Sequence, residues 1–189
     1  MQPFVPPSLT DLDGTGLRIG IVVARYNWQI TGAMLDLARE DLLKLGVAAH
    51  DIDVVSTPGS YELATIAQTM VRHAHYDALI CFGCVIKGAT RHDVLVGDAA
   101  AQGIQRVALD SGIPIIFGVV CAENQQQAQE RMIRGQECAH AAVEMARMIQ
   151  AVRTNSPQPG MQENEGEHAC IQGSSRNKAR SDNMNQQES

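Results

Sequence analysis

Four short apolar runs, each followed by a stretch with helical periodicity, constrain the fold of this 189-residue chain more than any other feature. Strands that alternate with helices are joined by crossover connections, and such connections build a parallel sheet with helices on both faces. The first run is β-branched and nearly continuous, as expected for a strand buried on both faces. We therefore predict an α/β fold whose strands span residues 17–24, 52–55, 78–86 and 113–120.

The stretches between the apolar runs predict the helices and their ends. Thr31 is a suitable N-cap for the first helix, and Gly46 is a suitable stop. Thr90, with Asp93 at the third position after it, resembles a capping box at the start of the third helix. A break near Gly135 separates the last two helices. The predicted helices span residues 31–45, 61–73, 90–110, 123–132 and, after that break, residues up to 152.

The two ends of the chain differ in composition from its centre. Residues 1–16 are rich in Pro and then polar and Gly-containing, which predicts an extended arm. From Arg153 onward Pro, Gly, Gln, Asn, Ser and Glu dominate, and such a segment buries too little apolar area to offset the entropy of ordering. We expect one α/β domain over residues 17–152, preceded by the extended arm and followed by a disordered polar tail over residues 153–189.

Charge and hydropathy exclude two classes of partner. The net charge is −6 and the chain has no basic cluster, so nucleic acid is not an expected partner. No apolar run approaches the roughly 20 residues that a membrane-spanning helix needs. The N-terminus lacks the basic start and apolar stretch of a secretory signal. We therefore expect a cytoplasmic protein without a membrane partner.

The cysteine pattern argues against disulfide and metal chemistry. The chain has five cysteines, an odd number, and four of them have apolar neighbours, which is typical of packed, reduced thiols. Cys81 and Cys84 lie three positions apart in a predicted strand, so their side chains point to opposite faces and cannot easily bridge or share a metal. No other His/Cys cluster has metal-ligand spacing, and no metal site is expected.

Reactive side chains collect at the carboxyl ends of the predicted strands, where open parallel sheets bind their ligands. The first strand is followed by residues 25–28, the second by residues 58–62, the third by residues 87–92 and the fourth by residues 120–123, and Tyr26 belongs to the first of these segments. The Gly-containing turn after the third strand opens a helix, whose free N–H groups and dipole attract anions. His92 stands beside that turn, and histidine is the residue type best suited to move protons near neutral pH. A planar ligand stacked on Tyr26, with a phosphate at the third helix, suits this edge.

Each of these residues also has a purely structural interpretation. Tyr26 equally suits a side chain that covers the sheet edge, and Glu62 a carboxylate that favours its helix dipole. His92 equally suits a solvated first-turn histidine, and Thr90 a simple helix cap. The chain contains neither the phosphate-binding loop of nucleoside triphosphatases nor the glycine fingerprint of dinucleotide-binding proteins, so both ligand classes are disfavoured.

Taken together, several segments in order resemble one family. The chain is similar to the 6,7-dimethyl-8-ribityllumazine synthases, which act at the penultimate step of riboflavin biosynthesis. The spacing between the matching segments fits that of the family without gaps from about Leu17 to Arg131. The matching segments are residues 24–27 (ARYN), 30–31 (IT), 58–63 (PGSYEL), 83–92 (GCVIKGATRH), 111–119 (SGIPIIFGV), 127–128 (QA), 130–131 (ER) and 143–146 (VEMA).

The resemblance implies a fold, an assembly and a reaction. The fold of the family is a flavodoxin-like three-layer α/β/α sandwich with a four-stranded parallel sheet. The family forms homopentamers, which in some members assemble into a larger shell, and its active sites lie between adjacent subunits. It condenses 5-amino-6-(D-ribitylamino)uracil with 3,4-dihydroxy-2-butanone 4-phosphate to 6,7-dimethyl-8-ribityllumazine, releasing phosphate and water. The resemblance implies no cofactor and no metal.

The resemblance also implies roles for individual residues. His92 matches the proton-transfer histidine, and Tyr26 matches the aromatic residue that stacks on the pyrimidine. In the family, the residues that match Phe117 and Arg131 come from the neighbouring subunit. The residues implied to bind ribitylaminouracil are Tyr26, Ser60, Tyr61, Glu62, Cys84, Val85, Ile86 and Phe117. Those implied to bind butanone phosphate are Ala89, Thr90 and Arg131.

The chain departs from the family pattern in three places. Asp93 and Val94 follow His92, where the family has an aromatic residue and then a carboxylate. Residues 132–135 replace a longer stretch rich in Gly and Lys, and the polar tail is not a family feature. These departures motivate an alternative, a catalytically weakened lumazine- or flavin-binding module on the same scaffold. A structural shell protein without a ligand is a third interpretation.

Overall fold

The computed structural model of the protein describes residues 12–155, and strands alternate with helices there as the apolar runs predict. Short 3-10 turns at Ala49–Asp51 and Ser60–Glu62 precede the second strand and the second helix. The arm expected at residues 1–16 lies mostly outside the described residues, as does the tail expected at residues 153–189, except for residues 153–155, which belong to the last helix. The elements are β1 (Ile19–Ala24), α1 (Trp28–Lys44), β2 (Ile52–Thr57), α2 (Leu63–His73), β3 (Ala78–Ile86), α3 (His92–Ser111), β4 (Ile115–Ala122), α4 (Gln125–Glu130) and α5 (Arg134–Asn155).

The four strands form one parallel sheet in the order β2-β1-β3-β4. Helices α1 and α5 cover one face, where Met34, Leu42 and Val143 belong to a buried apolar cluster. Helices α2 and α3 cover the other face, where Leu63 and Ile104 belong to a second cluster. The predicted flavodoxin-like α/β/α sandwich is therefore confirmed. Because all strands run in the same direction, their carboxyl ends meet at one edge of the sheet.

Two cysteines of β3 confirm the alternation of side chains along this strand. Cys81 packs into the cluster under α2 and α3, whereas Cys84 packs into the cluster under α1 and α5. Burial raises the pKa of the Cys81 thiol to about 12 and that of the Cys84 thiol to about 11. Both thiols are therefore protonated packing groups at neutral pH.

Helices α1 and α5 are held together by a close backbone approach and by a buried carboxylate. A Cβ atom added at Gly135 of α5 would overlap the carbonyl group of Met34 on α1, so only glycine permits this approach. Asp41 of α1 is 4 % exposed and accepts hydrogen bonds from Gln136 Nε2 at 3.1 Å and from the ring Nε2 of His140 at 3.0 Å. These contacts fix the segment in which α4 gives way to α5.

One predicted helix start and one predicted helix cap are wrong. Helix α1 begins at Trp28, and its N-cap is Asn27 rather than Thr31. Thr31 lies one turn inside the helix, where its buried hydroxyl donates to the Ala24 carbonyl at 2.7 Å. Helix α3 begins at His92, within the predicted start at residues 90–92, but its N-cap is Arg91 rather than Thr90, so the capping box is not formed. The error in α1 arises because Thr serves equally well as a cap and as a donor to a preceding carbonyl.

Candidate active site

A cavity of about 810 Å³ opens at the carboxyl ends of β1, β2 and β3. It is large enough for small organic substrates, which occupy clefts of about 300–1,000 Å³. Nine of the residues named from the sequence line it: Tyr26, Ser60, Tyr61, Glu62, Cys84, Val85, Ile86, Thr90 and His92. The further lining residues are Pro58, Gly59, Gly88, Asp93 and Val96.

Tyr26 stands in the turn between β1 and α1 and projects into solvent at the cavity. Its side chain is 72 % exposed, so it does not cover the sheet edge. Its backbone is fixed, because the N–H of Arg25 donates to Thr57 at 2.8 Å and that of Tyr26 to Pro58 at 3.0 Å. These hydrogen bonds hold the turn alongside the end of β2, and the aromatic ring of Tyr26 is exposed at the cavity.

The turn at Ser60–Glu62 forms the opposite wall of the cavity and rests on β3. Ser60 is buried against Gly83, where an added Cβ would lie 2.5 Å from the Ser60 hydroxyl oxygen. One carboxylate oxygen of Glu62 accepts from the Gly59 N–H at 2.9 Å, which closes the turn. Glu62 therefore stabilises the turn through this hydrogen bond and also lines the cavity. Gly83 carried the sequence signal for this contact, because a glycine within a strand often marks a close approach.

The end of β3 brings three peptide groups to the floor of the cavity. Cys84 is buried, and Val85 and Ile86 are half-buried. The side-chain amide of Asn27 donates to the Cys84 carbonyl at 2.9 Å. Sequence reasoning placed Asn27 in the loop after the first strand but did not name it as a site residue, because no sequence pattern reveals this hydrogen bond.

The turn between β3 and α3 offers backbone donors at a helix N-terminus. Ala89 and Thr90 are exposed there, and His92 is the exposed first residue of α3. Thr90 makes only a long contact, in which its hydroxyl accepts from the His92 N–H at 3.4 Å. Ala89 does not itself line the cavity among the described residues, although its neighbours Gly88 and Thr90 do. The first-turn N–H groups of α3 are therefore free to meet an anion.

The charges around the cavity are unbalanced. Its described lining residues include two carboxylates, Glu62 and Asp93, but no Lys or Arg. Lys87 lies directly before the turn, yet its ammonium group pairs with Glu123 at 2.7 Å. That hydrogen bond and the charge of Glu123 raise the pKa of Lys87. One chain therefore provides helix N–H groups for an anion, without a cation on the cavity wall.

Phe117 and Arg131 do not line the cavity among the described residues. Phe117 lies within β4 opposite Cys81 and packs against the cluster under α2 and α3. Arg131 is exposed directly after α4, and Asn124 caps that helix by accepting from the Gln127 N–H at 2.9 Å. The structure thus brings together the residues from the first three strands and keeps these two apart from them.

The part of the chain that spans residues 12–155 contains no group of three or more His, Cys, Asp or Glu side chains placed to hold a metal ion. None of its helices combines the length and the apolar character needed to cross a membrane.

Comparison with known proteins gives concordant matches to a sequence family and to a relative. The sequence model described as 6,7-dimethyl-8-ribityllumazine synthase matches residues 16–150 of this chain. A protein of Azoarcus sp. (strain BH72) with the name 6,7-dimethyl-8-ribityllumazine synthase is 42 % identical over 145 residues. That alignment covers 76 % of this chain and 93 % of the relative.

Proposed function

The chain belongs to the 6,7-dimethyl-8-ribityllumazine synthase family, and from this premise we propose how its strand-end cavity carries out the reaction. The enzyme is a transferase of riboflavin biosynthesis. It condenses 5-amino-6-(D-ribitylamino)uracil with 3,4-dihydroxy-2-butanone 4-phosphate to 6,7-dimethyl-8-ribityllumazine, with release of phosphate and water. The observation that carries our account of the site is the convergence of nine predicted residues, from three strand ends, on one cavity.

The pyrimidine half of the site lies between Tyr26 and the end of β3. Tyr26 stacks on the uracil ring, because its exposed face is rigidly mounted and large enough to cover a planar ligand. The peptide groups at the end of β3 bind the polar ring edge. Ser60, Tyr61 and Glu62 hold the ribityl chain from the opposite wall. The full set proposed for this substrate is Tyr26, Ser60, Tyr61, Glu62, Cys84, Val85, Ile86 and Phe117.

The phosphate half of the site lies at the turn before α3. Backbone N–H groups at Ala89, Thr90 and the first turn of α3 receive the phosphate, since an anion is stabilised there by free donors and by the helix dipole. Arg131 of an adjacent subunit supplies the cation that one chain lacks. A guanidinium and several N–H groups together stabilise the charge that develops as phosphate departs.

His92 moves protons between the two halves. The uracil amine attacks the ketone, phosphate leaves, the carbon chain turns, and a second attack closes the ring. Each step transfers a proton between groups of moderate basicity, for which imidazole is suited. Holding both reactants in one cavity removes their relative freedom, which contributes several kcal/mol to the rate enhancement.

We also propose a homopentamer, with larger shells as an extension, whose sites lie between subunits. Arg131 is exposed, Phe117 is removed from the cavity, and the described cavity wall has no cation to offset a phosphate dianion. These three facts support a site that is completed by a neighbour. We place the enzyme in the cytoplasm, which the free thiols of Cys81, Cys84, Cys121 and Cys138 support, because thiols persist in a reducing compartment.

Replacing His92 tests the proposed mechanism. We expect His92→Ala to lower kcat by about 100-fold, the usual loss on removal of a general acid–base group. Binding of the lumazine product, measured by fluorescence titration, should change little. Turnover is measured as lumazine formation after subtraction of the uncatalysed condensation.

His73→Ala is the matched control, because His73 contacts only the Thr69 carbonyl of its own helix and does not line the cavity. It should turn over at the wild-type rate. Equal kcat for His92→Ala and wild type would refute the role of His92. Wild-type turnover no faster than the uncatalysed reaction would indicate a catalytically weakened binding module instead.

A further inference from the structure

We propose that Asn27 is a positioning residue of the pyrimidine site, whose side-chain amide sets the distance between the Tyr26 ring and the end of β3. The inference rests on the pyrimidine site proposed above. Asn27 follows Tyr26 directly and is half-buried at the cavity edge. Its Nδ2 donates to the Cys84 carbonyl at 2.9 Å, which joins the end of β1 to the end of β3.

Helix capping does not explain this asparagine. At an N-cap, the side-chain oxygen of Asn normally accepts a hydrogen bond from an N–H of the first turn. Asn27 makes no such bond. Its backbone carbonyl instead accepts from Ile30 at 2.8 Å and from Thr31 at 3.2 Å, and the side chain is directed to Cys84. A residue chosen only to start α1 would not need this side-chain geometry.

Backbone conformation does not explain it either. Asn27 adopts a left-handed conformation with φ 58° and ψ 43°. It is the only non-glycine residue with positive φ in residues 12–155. Asn tolerates this region better than most residues, but Gly adopts it with no steric cost. Glycine would therefore satisfy the backbone conformation, and only the hydrogen bond from the side-chain amide to the Cys84 carbonyl requires asparagine.

The direction of the peptide groups along β3 shows what this bond replaces. The N–H of Lys87 donates to Ala122 on β4 at 2.8 Å. Because peptide groups alternate in direction along a strand, the odd-numbered residues near this end face β4. Cys84 and Ile86 therefore face the side of β1.

The pairing of β1 with β3 ends where Val23 lies opposite Phe82. If the ladder continued by one rung, the Tyr26 N–H would donate to the Cys84 carbonyl. The Tyr26 N–H instead binds Pro58 at 3.0 Å, on the side of β2. The side-chain amide of Asn27 thus supplies the donor that the backbone of β1 no longer offers to β3.

Because a side-chain donor takes the place of a backbone donor here, a gap forms in which the pyrimidine ring can bind. Beyond Val23 the chain of β1 turns toward β2, so Tyr26 and Ile86 line the same cavity with a gap between them. Asn27 bridges the base of that gap and occupies the Cys84 carbonyl. The peptide group of Ile86 is then the next one that faces the gap, where it can bind the polar edge of a ring stacked on Tyr26. Loss of the amide would let the two walls move apart.

Three variants of the assembled full-length enzyme test the proposal. Asn27→Gly keeps the left-handed backbone and removes the amide. We expect it to raise the Kd for the lumazine product and the KM for ribitylaminouracil about tenfold, the effect of losing one well-placed hydrogen bond. The KM for butanone phosphate should not change. Asn27→Asp should bind the pyrimidine more weakly still, because a carboxylate oxygen would face the Cys84 carbonyl. Tyr26→Ala tests the site itself.

Ser111→Ala is the control for stability. It removes the hydrogen bonds of the Ser111 hydroxyl to Val107 at 2.7 Å and from Ile113 at 3.2 Å, away from the cavity. It should lower Tm without changing either KM. Wild-type pyrimidine binding in Asn27→Gly would overturn the proposal in favour of a backbone role. Wild-type pyrimidine binding in Asn27→Asp would overturn it in favour of capping, because Asp caps a helix as well as Asn does. Unchanged binding in Tyr26→Ala would show that the pyrimidine site itself is misplaced, and the inference would fall with it.

Discussion

At the scale of the residue, Asp41 shows how a charge can be buried at a helix interface. Burial alone would raise the pKa of this carboxyl group. Hydrogen bonds from Gln136, Lys44 and His140 outweigh burial, and the pKa lies below its usual value. A carboxyl group whose pKa is lower in the folded state stabilises the fold above its unfolded pKa, and this contribution is lost as the pH falls through the folded pKa.

Asp41→Asn should therefore destabilise the protein in a pH-dependent way. At pH 7 we expect a loss of about 2 kcal/mol, since hydrogen bonds to a buried charged group contribute about 1.5–3 kcal/mol. The difference from wild type should shrink as the pH falls below about 4, where the carboxyl group of the unfolded chain is protonated. Urea unfolding at a fixed protein concentration measures both values.

Asp110→Asn is the control for this prediction, because Asp110 forms an exposed ion pair with Arg106. Exposed pairs contribute little, so its unfolding free energy should differ by less than about 1 kcal/mol from wild type. A loss in Asp41→Asn that is the same at pH 7 and at acid pH would contradict the account of its charge.

At the scale of the element, buried strands were predictable and turn geometry was not. The bounds of β3 match the prediction because it is buried on both faces, so its apolar run is continuous. The predicted β2 ended at residue 55, two residues before its observed end at Thr57, because apolar and polar residues are mixed along its exposed part. The start of α1 depends on a left-handed Asn27, and no periodicity reports the sign of φ.

The same limit applies to the site. In a parallel sheet the carboxyl ends of the strands meet at one edge. The sequence therefore predicted that Tyr26, Glu62 and His92 lie together. The hydrogen bond from the Asn27 side-chain amide joins residues 57 positions apart, and predicting it would require knowledge of the register of β1 against β3. Likewise, no pattern in the sequence reveals that Lys87 is neutralised by Glu123.

Contact between α1 and α5 gives the prediction at this scale. Gly135→Ala should destabilise the protein by about 2–3 kcal/mol, the upper part of the range for overpacking, because the added methyl group meets the backbone of Met34 rather than a movable side chain. Activity should fall as well, because Arg131 lies just before α5. Thermal unfolding and steady-state kinetics measure the two effects.

Gly97→Ala is the matched control within α3. Its added Cβ would lie 3.3 Å from the Cys121 sulfur, so a slight shift suffices, and the better helix propensity of Ala offsets the cost. We expect a change in unfolding free energy of less than about 1 kcal/mol. If Gly135→Ala were equally neutral, the close approach of the two helices would not be a determinant of stability.

At the scale of the whole molecule, the proposed sharing of a site between chains predicts complementation. A pocket formed by His92 of one subunit and Arg131 of its neighbour remains intact when an Arg131→Ala chain provides the histidine and a His92→Ala chain provides the arginine. Equal amounts of the two inactive variants, unfolded and refolded together, should recover about one quarter of wild-type turnover through random assembly.

Mixing His92→Ala with Tyr26→Ala is the control, because both residues lie in the cavity of the same chain. Every pocket in that mixture lacks one of the two side chains, and no activity should return. Recovery in neither mixture would contradict a shared site and would place Arg131 and His92 in the pocket of the same chain.

The unbalanced charge of the cavity has a consequence for the life of a single subunit. Glu62 and Asp93 stand on its described wall and Lys87 is paired with Glu123, so in an isolated chain only the helix N–H groups offset the repulsion of a phosphate dianion. Under the proposed assembly, a newly synthesised chain binds butanone phosphate weakly until a neighbouring subunit supplies Arg131. Output of the pathway would then follow the concentration of assembled particles rather than the number of polypeptides made.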